Sequence, residues 1–168
     1  MLPRPAVDLP RSDGQPLWAG FVETFASFFR RPDIGLVLAF LLLFRLGEAQ
    51  LVKLVTPFLL DPAARGGMGL SASAVGIVYG TVGVIALTCG GLLGGWVISR
   101  AGLRRVLWPL MLCMHLPNLV FVALATWQPA GLGLVSGAIA LEQFGYGFGF
   151  TAYLVYMLMV AGGADGTR

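Results

Sequence analysis

Charge is the scarcest commodity in this 168-residue sequence: 11% of residues are charged, against 57% hydrophobic. An ordinary soluble domain carries roughly a quarter charged residues. The shortfall leaves too little charge to clothe a water-facing surface, which excludes a soluble enzyme or signalling domain. Intrinsic disorder is excluded by the opposite sign of the same property, because mean hydropathy is +0.83 and disorder is marked by low hydrophobicity. Cysteine is nearly absent. Cys89 and Cys113 both fall inside apolar runs, where they read as small apolar fillers rather than as a disulfide scaffold or metal site. Only one histidine is present, and no His/Asp/Glu spacing suits a metal. No cofactor is expected, and no serine or cysteine has an evident base, so the chain is not read as an enzyme. The net charge of +3 is not gathered into one dense patch, which argues against nucleic acid. Five prolines within the first 33 residues interrupt any apolar core of a secretory signal. The first hydrophobic run must therefore act as its own insertion signal.

What is present is apolar sequence in long runs. Four runs, at about 34–60, 73–98, 105–127 and 131–161, each approach or exceed the roughly 20 residues that a spanning helix needs. Lipid offers the backbone no hydrogen bonds, so these runs are predicted to be helices. The expected fold is an all-α integral membrane protein with four transmembrane helices across residues 33–161. Asp33 is a candidate cap for the first helix, and Ser71 or Ser73 for the second. Residues 1–16, rich in Pro, Asp and Arg, are expected to be a disordered tail, and 162–168 a second tail. Between tail and first span, residues 17–32 place Phe21, Phe25, Phe28 and Phe29 at helical spacing among polar neighbours. That pattern predicts an N-terminal amphipathic helix lying in the membrane interface.

Loop charges predict orientation. Arg30 and Arg31 precede the first span, and Arg100, Arg104 and Arg105 separate the second from the third. Asp61 opposes Arg65 in the first loop, and the third loop carries no charge. The positive-inside rule then puts both termini and the 99–105 loop in the cytoplasm. Trp96 and Trp108 would flank the inner interface and Trp127 the outer one.

A charge at the bilayer centre costs roughly 2.5–3.5 kcal/mol on insertion scales. The sequence nevertheless places Arg45, Glu48 and Lys53 in the first span and Glu142 in the fourth. Glu48 lies about 21 Å along its helix from Ile34, and Glu142 about 17 Å from Gly131, both near mid-membrane. The second and third spans carry no interior charge. The expectation is that the first and fourth helices line a hydrated cavity while the other two shield it. Arg45 and Glu48, three residues apart on one face, can pair. They either pin two helices or form a substrate or proton site, since a carboxyl in a low-dielectric pocket can exchange protons. Glu142 has the same two readings, with Gln143 and Tyr146 as hydrogen-bonding neighbours. Lys53 either snorkels outward or binds an anionic group. His115 and Asn118 flank Pro117, which frees a carbonyl one turn earlier; they read as local polar satisfaction.

Glycine is abundant, at 24 residues. Gly76 and Gly80, Gly90 and Gly94, Gly91 and Gly95, Gly133 and Gly137, and Gly145 and Gly149 are pairs spaced by four, the spacing of close helix packing. The run GYGFGF at 145–150 reads either as a soft, gate-like break beside Glu142 or as a tight interhelical contact.

The stretch from Gly95 to Arg105, GWVISRAGLRR, resembles the cytoplasmic loop signature of the major facilitator superfamily. Gly95, Arg100, Gly102, Arg104 and Arg105 match it, and Ser99 stands where that signature has an acid. FRLGEA (Phe44–Ala49) and LEQFGYGFGFTAY (Leu141–Tyr153) resemble the seventh and tenth spans of muropeptide permeases of the AmpG type. The resemblance covers roughly residues 33–161. It implies proton-driven import of anhydromuropeptides across a bacterial inner membrane, with lipid, a small solute and protons as partners. It further implies that the seventh and tenth spans line the central cavity. Members of that family have about twelve spans in two bundles, so four spans read as part of one six-helix bundle. The expected function is a fragment of a proton-coupled transporter working with a complementary chain. The alternative is a small four-helix scaffold or assembly protein without transport.

Overall fold

In the computed structural model, the described residues are Trp18, Val22, Phe25, Ala26, Phe29, Arg30 and 34–161. They are all-helical, with no strand among them. The predicted tails, 1–16 and 162–168, lie outside the described residues, as does most of the predicted interfacial helix 17–32. Of that segment, Trp18, Val22, Phe25, Ala26 and Phe29 are helical.

Four long helices follow. We call them α1 (Ile34–Leu60), α2 (Ala72–Ala101), α3 (Leu103–Trp127) and α4 (Leu132–Ala161). Helices α1, α2 and α3 are each long and apolar enough to cross a membrane, which makes this a multi-pass membrane protein. Helix α4 has 30 residues and holds Glu142, Gln143 and the glycine run.

The helix ends follow from local chemistry. Helix α1 stops at Leu60 because Asp61 precedes Pro62, and the residue before proline disfavours the helical conformation. Its last carbonyls are then satisfied by the loop: Met68 N–H donates to Phe58 O at 2.8 Å and Leu70 N–H to Leu59 O at 2.9 Å. Gly66 (φ 84°) and Gly69 (φ 65°) supply the left-handed backbone this reversal requires. Ser71 caps α2, accepting from Ala74 N–H at 3.2 Å. The turn from α2 to α3 is made by Gly102 alone, at φ 79°, its N–H bonded to Ile98 O at 2.9 Å.

Two helices depart from regular geometry. Within α2, residues Val78–Gly83 form a π-helical segment. Within α3, Leu116–Asn118 tighten into a 3-10 turn around Pro117. Pro117 cannot donate to Cys113 O, and that oxygen meets α4 instead: a Cβ built on Gly145 would stand 2.5 Å from it. A Cα–H···O contact is the geometry that fits so close an approach.

The described residues divide into two compact units between Leu46 and Gly47. In the first, Phe25 pairs with Phe29 and Phe40 with Phe44, at ring separations of 5.1 and 5.9 Å. Leu36, Leu42 and Leu43 are exposed, as suits a lipid-facing helix. In the second, α4 is the central helix. One face packs on α2, where the backbone of Phe144 lies against Gly90, Phe148 against Gly94, and Gly147 against Leu87 O. Another face packs on α3, where Gly149 lies against Leu110 and Met114, and Gly145 against Cys113 and Pro117. Thr151 Oγ1 donates to Gly147 O at 2.9 Å and reaches Gly91 O at 3.3 Å. The GYGFGF run is therefore an unbroken helix in tight contact, not a break. Two apolar clusters close the unit. Val55, Leu59, Val78, Phe121, Leu124, Val135 and Ile139 form one near the 61–71 loop. Val106, Leu110 and Ala152 form the other, near Gly102.

Four of the proposed packing glycines make no helix contact among the described residues. Gly76, Gly80, Gly133 and Gly137 are exposed, and a Cβ on any of them would meet nothing within 4 Å. They lie where α2 and α4 present open faces. Gly91, Gly145 and Gly149 do sit at helix contacts, as do Gly90, Gly94 and Gly147.

Candidate functional site

Beside the first apolar cluster, and sharing Val55 and Phe121 with it, lies a cavity of about 450 Å3, within the range of about 300–1,000 Å3 typical of small-molecule sites. Helix α1 contributes Leu51, Val52, Val55 and Thr56. Helix α2 contributes Val75, Gly76 and Tyr79, and α3 contributes Phe121. Helix α4 contributes Glu142 and Gln143. All of these belong to the second unit. The walls are apolar and the polar groups are few, which is the usual make-up of a ligand site.

Glu142 is its charged residue, and it is buried, at 7% exposure. Gln143 Nε2 donates to Glu142 Oε2 at 2.9 Å, so one carboxylate oxygen is engaged within its own helix. Glu48 is also buried, at 6%, and its carboxyl acts electrostatically on that of Glu142. Both acids are thus withdrawn from the surface of the chain. Tyr79 lies within electrostatic reach of Glu142 as well. It occupies the π-helical segment, whose Gly83 approaches the Gln143 side chain: a Cβ there would stand 3.3 Å from Gln143 Cγ. π-Helical segments recur at functional sites because the extra residue shifts side chains out of helical register.

The cavity gathers Glu142 and Gln143 from among the six pathway residues read from sequence. Arg45 belongs to the first unit and is exposed; Lys53 is exposed on α1. Neither Lys53 nor Tyr146 is part of the lining; Tyr146 stacks on Phe150 at 5.1 Å. The expectation that the first and fourth helices alone line the cavity is also corrected, because α2 and α3 supply Tyr79 and Phe121. Charge sorting could not find these two, since neither is charged. Thr56 and Tyr79 were missed for the same reason. The available signal was a tyrosine set between Gly76 and Gly80 in a largely apolar span.

Across 95–105, α2 runs to Ala101 and α3 begins at Leu103. Ser99, at the acidic position, donates to Trp96 O at 2.7 Å and so turns back on its own helix. Arg100 lies over the Trp96 ring, 5.4 Å from its centroid, a cation–π contact. Arg104 and Arg105 are exposed, and Gly95 makes only ordinary contact with Thr151, at 3.9 Å. Among the described residues, no group of three or more His, Cys, Asp or Glu is placed to hold a metal ion.

The chain is 29% identical over 147 residues to the anhydromuropeptide permease of Escherichia coli strain K12, an alignment covering 82% of this chain and 27% of that protein. It is 28% identical over 136 residues to a Rickettsia conorii protein that carries the name transporter AmpG 4, covering 81% of this chain and 31% of that one. It is 27% identical over 162 residues to an uncharacterized protein of Haemophilus influenzae, covering 91% of this chain and 36% of that one. The chain thus spans about a third of the length of the curated relatives it matches. No family profile matches the chain, and no solved structure does.

Proposed function

We propose that this chain forms part of the solute pathway of a proton-coupled transporter in a bacterial inner membrane, carrying anhydromuropeptides or close relatives of them. The observation that carries this reading is Glu142: a carboxylate buried in an apolar membrane protein, on the wall of a ligand-sized cavity and within electrostatic range of a second buried acid. A buried acid of this kind is costly unless it is used. Similarity to an anhydromuropeptide permease supports the solute class.

In this reading α4 spans the membrane beside α1, α2 and α3, and the four helices are part of a six-helix bundle of the major facilitator type. The termini and the arginine-bearing 99–105 loop face the cytoplasm. Alternating access needs one bundle to move against another, so further helices, on the same polypeptide or on a complementary chain, complete the machine. Protonation of Glu142 neutralises the charged group of the cavity lining and links solute release to the proton gradient.

The test is uptake of radiolabelled anhydromuropeptide by cells lacking their own permease. The chain is expressed alone and together with a separately encoded remainder of a permease. Uptake that collapses with the proton gradient, and falls about a hundredfold in Glu142→Gln, is the expected result. Gradient-independent uptake, or full activity of Glu142→Gln, would overturn the proton role. No uptake in either arrangement would overturn the transport reading.

A further inference from the structure

Hydroxyl groups within membrane helices ordinarily satisfy themselves on their own backbone. Thr88 donates to Val84 O at 2.8 Å, Thr126 to Val122 O at 3.0 Å, Ser136 to Leu132 O at 2.8 Å and Thr151 to Gly147 O at 2.9 Å. Two cavity-lining hydroxyls break this pattern. Thr56 on α1 and Tyr79 on α2 make no hydrogen bond among the described residues. They share the cavity with Glu142, whose Oε2 is already taken by Gln143. The cavity therefore offers hydroxyl donors from two helices, a carboxylate acceptor from a third, and an apolar wall that includes Val55, Val75 and Phe121.

We infer that this cavity is a subsite for a secondary amide carrying a small apolar substituent, and that Thr56 and Tyr79 are specificity-determining residues for it. The amide N–H donates to Glu142, its carbonyl accepts from Tyr79 and Thr56, and its apolar substituent rests on the wall. Few other groups match this set. An anion would be repelled by Glu142, and the lining holds no cation to offset that repulsion. A bare sugar hydroxyl has no apolar part for the wall. An ammonium ion has donors but no acceptor, and would leave the donor capacity of both hydroxyls unused. In an anhydromuropeptide the amide has two sources, the acetamido groups of the amino sugars and the peptide. This assignment rests on the solute class proposed above.

The experiment measures binding to the full chain, purified into lipid nanodiscs. The probe is an anhydromuropeptide of N-acetylglucosamine, anhydro-N-acetylmuramic acid and a tripeptide. Tyr79→Phe and Thr56→Val, which keep the side-chain volume, are each expected to weaken it about five- to tenfold. The same variants are titrated with the peptide-free disaccharide and with its deacetylated form. If the acetamido group is recognised, the loss persists on the disaccharide and vanishes on the deacetylated amine. If the peptide is recognised, the loss vanishes on the disaccharide already. Either pattern supports the amide subsite, because a merely structural defect would weaken all three probes alike. Equal weakening of every probe, no weakening in either variant, or tighter binding of the free amine than of its acetylated parent would overturn it while leaving the transport reading standing. Failure of the unaltered chain to bind any of the probes would overturn the amide subsite, while the transport reading stands or falls on the uptake experiment with the complementing helices.

Discussion

The two ends of α4 carry the same kind of residue and do opposite things with it. Toward its C-terminal half, Gly145, Gly147 and Gly149 lie against the backbones of α2 and α3, with no room for a methyl group. Toward its N-terminal half, Gly133 and Gly137 face open space, as Gly76 and Gly80 do on α2. Between these regions sits Glu142, at the edge of the cavity. The contrast teaches that glycine spacing permits close approach but does not create it. In the packed region, carbonyl oxygens approach glycine α-carbons, and dispersion contacts with weak Cα–H···O bonds hold the helices. In the open region the helices still pack through Val78, Val135 and Ile139, and the glycines lie on the outward faces, which a solute or further helices can use.

This comparison can be broken by substitution. The largest effect is expected for Gly90→Val or Gly147→Val, whose side chains would collide with the backbones of Phe144 and Leu87; overpacking against backbone should cost about 3 kcal/mol or more. Denaturant titration in detergent would read it, and a loss under about 1 kcal/mol would mean that the contact relaxes freely. Next is Ser71→Ala, which removes the bond from Ala74 N–H and should cost about 1 kcal/mol by the same titration. Smaller still is Thr151→Val, which deletes the bond to Gly91 O on the partner helix. Interhelical bonds of this kind average about 0.6 kcal/mol in membrane proteins, and the same titration should read a loss of that order in Thr151→Val and a smaller one in Thr151→Ser, which keeps the hydroxyl. The smallest effect belongs to Gly76→Ala and Gly137→Ala, expected within about 0.5 kcal/mol of the unaltered chain. A large loss at either position, seen only when further helices are supplied, would identify it as a contact for them.

Much of this was legible residue by residue. Apolar runs with almost no charge could be nothing but membrane helices, because lipid leaves the backbone no other partner. Ser71, one of the two caps offered for the second helix, was legible for a local reason, its side-chain oxygen meeting a free N–H of the first turn. The burial of Glu48 and Glu142 was also readable, since an acid set mid-span has nowhere inexpensive to point but inward. Tyr79 and Thr56 were not readable. A tyrosine in a membrane helix can face lipid, interface or interior, and a threonine ordinarily turns back on its own carbonyl. The π-helical segment that carries Tyr79 has no sequence signature among Val78–Gly83, because it answers to the α4 surface packed beside it.

By itself, then, the sequence determined that the chain is helical, that it lives in a membrane, and that it keeps acids away from lipid. These follow from transfer energies and backbone hydrogen bonding, which act on each segment alone. Which glycines touch, which hydroxyls go unsatisfied and which residues share a cavity with Glu142 were decided only by tertiary structure. Those properties belong to pairs of helices, and a pair is defined by where two surfaces cross, not by what either strand of sequence contains.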